Sequence, residues 1–557
     1  MASISGAPPS SIASNRRRTR LPHAPLLLPS SLRLAPHRPF RRLSISARFH
    51  SSKASSGPNG SHEDHSSSGE EEELHHALPP PHTSGKAAPV FVTLPIDAVT
   101  LAGQMTRRKA IGASLMALAN AGVEGITVEF WWGIVERDGP GVYDWSAYLD
   151  LVTLAESRRL KVRAIMAFHQ CGTGPGPGHP CWIPLPQWVC EEMDKEPDLA
   201  YSDKYGRRNK EYISLGCDML PFLRGRTPIQ AYSDFMRSFR DTFRDFLGVI
   251  ITEIQVGMGP AGELRYPSCP TEKLIRPGNE PELGEFQSYD KFMQASLNAS
   301  ARKLGVHQWG HGGPLGTTDV MHNPERTSFF KSDGSWNSAY GQFFLEWYSG
   351  MLLRHGERLC LTANAVFWGT GVKISAKVAA IHWHYGTCSH PSELTAGYYN
   401  TLTRDGYLPI AQLFSRYSMA LCCTCFDVRD KEIQSESKSS PEGCLRQLVH
   451  AARMYNLSLC GENSVTRLDD ESLKQVIKSC RLYSTGSNKS SLSFNYVRMN
   501  RDLFDPYNWN RFTRFVKQMS DARTFQAAAM LGLSYRPNGR YLSSLAADEV
   551  GRVVTCL

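Results

Sequence analysis

The amino-terminal 62 residues of this 557-residue chain contain no aspartate or glutamate, although they carry ten arginine and lysine residues. The basic residues lie among many serines, alanines and prolines, a composition typical of an organellar transit peptide. The alternative is a nuclear-localisation or DNA-binding patch at 15–20 (NRRRTR). Five prolines between positions 8 and 29 would interrupt a groove-reading helix, so the composition favours the transit peptide.

The chain also lacks any run of about 18 consecutive apolar residues, the length that a membrane-spanning helix needs. Its early apolar run, Leu26–Leu28, is flanked by prolines, which does not fit the apolar region of a secretory signal. At 41% hydrophobic and 21% charged residues, the composition is that of a globular protein. We therefore predict no membrane partner.

The composition changes again after residue 62. The segment 63–88 combines six acidic residues with histidines and three consecutive prolines, as a disordered linker does. We predict four parts: a transit peptide at 1–62, a disordered acidic and proline-rich linker at 63–88, a folded domain at 89–525 and a carboxy-terminal tail at 526–557. Loss of the first part leaves 52 basic against 53 acidic residues, so the formal net charge of +9 becomes −1. We therefore expect no nucleic-acid partner.

Short apolar segments alternate with amphipathic helical patterns eight times in 89–525, with a long irregular excursion between the third and fourth segments. The predicted strands are Pro89–Asp97, Gly125–Trp132, Val162–Phe168, Val249–Val256, Lys377–Trp383, Met419–Phe426, Leu457–Cys460 and Phe494–Arg498. This alternation predicts an α/β fold, a TIM (β/α)8 barrel with long loops at the C-terminal face of the strands. A doubly wound open sheet is the alternative, but no GxGxxG follows the first strand, so nothing indicates a dinucleotide cofactor.

Aromatic residues, histidines and carboxylates follow the ends of the predicted strands. In a TIM barrel these ends meet at the face where active sites form. Aromatic faces stack on sugar rings while polar side chains bond hydroxyl groups, so the set suits a carbohydrate. A phosphate ligand would predict a glycine-rich loop with lysine and serine or threonine, which is missing.

Glu263 and Glu462 are the candidates for the paired carboxylates of a glycosidase. One carboxyl group must be protonated to donate to the glycosidic oxygen, and the other must be ionised to activate water. The alternative is that each glutamate caps a helix or pairs with an arginine.

Five segments resemble the plant beta-amylase family. They are 168–172 (FHQCG), 253–270 (EIQVGMGPAGELRYPSCP), 285–287 (EFQ), 392–400 (SELTAGYYN) and 461–463 (GEN). The resemblance implies a TIM barrel that hydrolyses α-1,4-glucans from the non-reducing end, with inversion, to β-maltose. Together with the predicted transit peptide, it implies a chloroplast enzyme of the stroma, without metal or organic cofactor.

The same resemblance implies roles for individual residues. Glu263 would be the general acid and Glu462 the general base. Glucose contacts would come from His169, Lys377, His382, Thr424, Asn463, the backbone at Ser464, and Arg498.

The sequence departs from the family pattern around the substrate. Glu129 replaces the aspartate that the family usually carries on its second strand, where it would grip the terminal glucose. The lid after the third strand is two residues longer than in the family. Its usual aspartate position is occupied by His179 when counted back from Ile183, or by Pro177 when counted forward from His169. We therefore predict a beta-amylase with altered or lowered activity. The alternative is a catalytically weak or inactive beta-amylase-like protein that binds glucan or regulates.

All 14 cysteines lie after residue 170, and the single CxxC, Cys422 to Cys425, has no second pair at zinc-site spacing. We interpret them as packing thiols. The alternative is redox control through the cluster at 422–425, or through Cys171 and Cys181, which bracket the lid.

Overall fold

A computed structural model describes residues 88–172, 182–268, 283–317, 323–433, 438–484 and 490–522. Eight parallel strands close into a barrel in the order β1-β10-β9-β8-β7-β6-β3-β2, and β4 and β5 form a separate antiparallel pair. The strands β1–β10 are Val90–Thr93, Gly125–Trp131, Lys161–Ala167, Ala200–Ser202, Arg208–Ile213, Ile251–Val256, Lys373–Val378, Ala420–Cys423, Leu459–Glu462 and Leu492–Tyr496. The predicted TIM barrel is confirmed.

Twelve helices of at least four residues lie in the described ranges. Helices α1–α12 are Arg108–Asn120, Trp132–Val135, Ser146–Ser157, Gln187–Lys195, Pro228–Thr242, Lys291–Lys303, Ala339–Phe367, Pro391–Thr395, Leu408–Arg416, Pro441–Met454, Asp470–Ser484 and Pro506–Ser520. Among the helices that the structure describes, none has the length and apolar character needed to cross a membrane.

The barrel strands are apolar on both faces because helices cover the outside and side chains fill the inside. In β2, six of the seven residues are buried. Its first residue, Gly125, allows β3 to approach closely: a Cβ there would lie 2.3 Å from the Lys161 carbonyl oxygen. The core is therefore continuous from the barrel to the helices.

The excursion after the third barrel strand is more ordered than we predicted. It contains α4, the β4–β5 pair and α5. Thr227 and Gln230 form a capping box at the start of α5, in which each side chain accepts a hydrogen bond from the other's backbone N–H. This signal is visible in the sequence, and our prediction overlooked it.

The fifth barrel strand is also displaced from its predicted position. It is Lys373–Val378 rather than 377–383. The apolar run continues beyond Val378 because the following loop is itself buried, as Ala379 and Ile381 show. Lys377 is therefore the penultimate residue of β7, and His382 lies in the loop that follows.

The ends of two helices are set by local contacts and packing. Helix α6 begins at Lys291, because the Asp290 side chain accepts hydrogen bonds from the backbone N–H groups of Phe292 and Met293. Helix α7 extends over 29 residues to Phe367. The predictions for 1–62 and 526–557, and almost all of that for 63–88, lie outside the described residues.

Candidate active site

Glu263 lies directly after the turn that leaves β6. Two left-handed residues, Ala261 (φ 54°) and Gly262 (φ 74°), bring the chain back so that Glu263 forms an isolated parallel bridge with Lys377. The carboxylate is buried, and its Oε2 accepts a hydrogen bond from Nε of Arg265 at 2.7 Å. The turn therefore points a fixed, poorly solvated carboxyl group over the end of the barrel.

Glu462 is the last residue of β9, and Asn495 lies opposite it in register on β10. The Asn495 amide donates to Glu462 Oε1 at 2.8 Å, while the hydroxyl of Thr127 donates to the other end of that amide at 2.8 Å. Thr127 thereby orients the amide with its N–H groups towards the carboxylate. Burial alone would raise the pKa of Glu462, but the Lys377 ammonium and the Asn495 amide hold it below the usual value.

Lys377 links the two glutamates. Its Nζ lies 2.8 Å from Glu462 Oε2 and 3.8 Å from Glu263 Oε1. Burial opposes the charge on Lys377, yet the two carboxylates raise its pKa above the ordinary lysine value. The two carboxylates therefore both lie within 4 Å of one ammonium group.

Glu129, on β2, pairs with Arg498, in the loop after β10. The pair is bidentate, with NH1 to Oε2 at 2.9 Å and NH2 to Oε1 at 3.0 Å. Arg498 NH1 also donates to the Leu94 carbonyl oxygen at 2.8 Å. Two residues predicted to contact glucose are thus bound to each other.

His169 packs edge-to-face against Trp131, with ring centroids 5.0 Å apart. Burial lowers its pKa to about 4, so the imidazole is neutral at neutral pH. Its Nδ1 has no hydrogen-bond partner among the described residues. A buried polar atom without a partner is costly, and a ligand hydroxyl group would satisfy it.

His382 lies beside the same mouth in the loop after β7. Its Nδ1 lies 2.7 Å from the Ser439 hydroxyl, and its ring stacks on Trp383. Burial lowers the pKa of His382 to about 4. The ring is therefore a fixed neutral group, suited to hydrogen bonding a hydroxyl group rather than an anion.

Thr424, Asn463 and Ser464 lie on adjacent loops. The backbone N–H of Cys425, a left-handed residue, donates to the Ser464 hydroxyl at 3.0 Å. Asn463 accepts a hydrogen bond from the Val497 N–H at 2.7 Å, which fastens the loop after β9 to the one that carries Arg498. The Asn463 side chain thus forms its hydrogen bonds with backbone groups.

Two polar residues of this region were missed in the sequence analysis. Asp427 accepts the backbone N–H groups of Ser464 and Val465 at 2.7 and 3.2 Å, and Asn495 orients Glu462 as described above. Asn495 could have been found, because it is a polar residue between two aromatic residues, Phe494 and Tyr496, of a predicted strand. The predicted lid residue His179 lies outside the described residues.

Three cysteines near the site, Cys422, Cys423 and Cys425, are buried free thiols. Burial raises the pKa of Cys425 to about 12 and raises that of Cys423 well above the ordinary value. This favours packing thiols over reactive ones. Within the described ranges, no group of three or more His, Cys, Asp or Glu residues is arranged to hold a metal ion.

Comparison with known proteins gives one consistent result. Residues 91–524 match the model of glycosyl hydrolase family 14. The chain is 51% identical to beta-amylase 1, chloroplastic, of Arabidopsis thaliana over 444 residues, 79% of this chain and 76% of the relative. It is 50% identical to beta-amylase 2, chloroplastic, of Oryza sativa subsp. japonica over 436 residues, 78% and 77% of the two chains.

A solved structure agrees with these relatives. The catalytic domain of beta-amylase from Paenibacillus polymyxa superposes with a TM-score of 0.64 at 25% sequence identity. The match covers 78% of this chain and 99% of that one.

Proposed function

The chain belongs to glycosyl hydrolase family 14, and we propose that it is a beta-amylase that releases β-maltose, with inversion, from the non-reducing ends of α-1,4-glucans. Family membership makes it a glycoside hydrolase and bears out the resemblance found in the sequence. The curated relatives at 50% and 51% identity are named beta-amylases. The observation that carries the assignment in this molecule is the buried pair Glu263 and Glu462 around Lys377.

The proposed mechanism uses these three side chains. Glu263 donates its proton to the glycosidic oxygen as the bond to the anomeric carbon breaks. Glu462 takes a proton from a water molecule that attacks that carbon from the opposite face, which inverts the configuration. Lys377 favours the ionised form of Glu462, which a general base requires.

The experiment is to measure maltose release from maltodextrin by the chain from residue 89 onward and by its Glu263→Gln variant. The wild type should release maltose steadily, and the variant should lose at least about a hundredfold in rate. Glu156→Gln, the same substitution at an exposed site on α3, serves as the matched control and should behave as the wild type. No maltose from the wild type would overturn the proposal.

A second candidate is a weak or inactive beta-amylase-like protein that binds glucan. The bidentate pair of Glu129 and Arg498 favours it, because a terminal glucose must compete with that pair for both side chains. Binding of maltodextrin to the wild type without turnover would support this candidate over the first.

We further propose that the protein acts in plastids, with an α-1,4-glucan as its partner. The relatives from Arabidopsis and rice are named chloroplastic, and the acid-free segment 1–62 has the composition of a transit peptide. Within the plastid, we propose that the protein lies in the stroma. Import of the full chain into isolated plastids, with cleavage near residue 62 and recovery in the soluble fraction, tests both the plastid and the stromal location.

A further inference from the structure

A buried histidine of the long helix α7 contacts the turn that carries Glu263. His355 is 1% exposed. Its Nδ1 lies 2.9 Å from both carboxylate oxygens of Asp218, and its Nε2 lies 3.1 Å from the main-chain oxygen of Met258. The imidazole therefore lies between a carboxylate on one side and a backbone carbonyl on the other.

Both of these partners accept hydrogen bonds. Arg358 NH1 also donates to Asp218 Oδ2 at 2.8 Å. A carbonyl oxygen can only accept, so Nε2 of His355 carries a proton and donates it to Met258. The other titratable group against the ring is Tyr212, whose pKa burial raises well above the usual value, so it is neutral.

The carbonyl of Met258 belongs to the turn from β6 to Glu263. Within that turn, the N–H of Met258 donates to the Gly262 carbonyl oxygen at 3.3 Å. The N–H of Glu263 donates to the Pro260 carbonyl oxygen at 2.9 Å. A Cβ on Gly259 would lie 2.5 Å from the Glu263 carbonyl oxygen, so the backbone has little room. A shift of the Met258 carbonyl is therefore transmitted to Glu263.

Helix α7 also touches the other side of Glu263. A Cβ on Gly356 would lie 3.2 Å from the Leu264 side chain, so helix and loop are in close contact there. His355 thus contacts Met258, five residues before the proposed acid, and Gly356 contacts Leu264, directly after it.

We propose that His355 is a positioning residue for Glu263: its Nε2–H fixes the Met258 carbonyl and thereby places the Glu263 carboxyl group at the glycosidic oxygen. This inference rests on the proposed role of Glu263 as general acid. Displacing a reacting group by roughly 1 Å can cost about a hundredfold in rate. The loss should appear in kcat on substrates that need protonation of the leaving group.

The test compares two substrates. Maltodextrin needs a proton on its leaving oxygen, whereas α-maltosyl fluoride does not. For His355→Gln we expect kcat on maltodextrin to fall about 10- to 100-fold with a small change in KM, and kcat on the fluoride to fall much less. Tyr212→Phe, which keeps the ring beside His355, should match the wild type on both. Equal losses of His355→Gln on both substrates would overturn the positioning role.

A measurement on the wild type keeps the inference testable if the variant does not fold or if the wild type has no activity. In protein labelled with [15N]histidine and [1-13C]methionine, one ring nitrogen should show a scalar coupling to a methionine carbonyl carbon across their hydrogen bond. Absence of any such coupling would overturn the inference. Its presence in a protein inactive on both substrates would count against the proposed function and in favour of the contact between His355 and Met258.

Discussion

Two groups of residues at the barrel mouth pair carboxylates with cations, but with different consequences. Around Lys377, one ammonium group serves both Glu263 and Glu462. Between Glu129 and Arg498, the bidentate pair uses both carboxylate oxygens and both terminal guanidinium nitrogens. The first arrangement sets the charge of the proposed reacting groups, while the second uses the hydrogen-bonding groups that a glucose would need. The comparison indicates that chemistry and substrate grip can vary separately in this chain.

The largest effects should come from Glu263 and Glu462, the glutamates around Lys377. Glu462→Gln should lose at least about a hundredfold in kcat on both maltodextrin and α-maltosyl fluoride, because both reactions need the base. Glu263→Gln should lose as much on maltodextrin only. Initial rates on the two substrates provide the measurement. Similar behaviour of the two variants on the fluoride would contradict the assignment of acid and base.

Removing the shared ammonium should change the pH dependence. Lys377→Met eliminates the charge that lowers the pKa of Glu462, so the base becomes protonated at higher pH and the acidic limb of the kcat profile moves to higher pH. The control is Lys373→Met, at an exposed position on the same strand. An unmoved acidic limb in Lys377→Met would contradict the role given to the ammonium.

The same shift affects stability with a definite sign. The pKa of Glu462 is lower in the folded protein than the ordinary value of about 4.3, so its ionised form contributes stability above that pH. This contribution is lost as the pH falls through the folded-state pKa.

A smaller effect is expected at the pair of Glu129 and Arg498. Glu129→Asp shortens the side chain by one methylene group and should break the bidentate pair with Arg498. We expect KM for maltodextrin to fall by up to roughly tenfold, as the loss of a competing hydrogen bond allows, with kcat little changed. Glu124→Asp, at an exposed site just before the same strand, is the matched control. An unchanged KM would show that the pair does not compete with substrate.

The smallest effect should come from reductant. Cys423 and Cys425 are buried free thiols whose pKa burial raises, so they should stay as neutral thiols. Maltose release with and without dithiothreitol should therefore be equal. A clear dependence on reductant would contradict this prediction.

The sequence predicted the barrel, because strand periodicity is a local signal, and it named Glu263 and Glu462, which the structure brings to the same ammonium group. It placed the fifth strand wrongly, since a buried loop after Val378 has the same apolar composition as a strand. It could not show that Glu129 meets Arg498, because the two residues are 369 positions apart and only barrel closure joins them. The same holds for the contact of His355 with Asp218 and Met258.

The most direct test of the account is the configuration of the maltose first released. Proton NMR during the initial phase of hydrolysis, before mutarotation, should show the β-anomer from the wild type and no maltose from Glu263→Gln. Maltose released first as the α-anomer, or no maltose from the wild type, would contradict an inverting reaction at Glu263 and Glu462.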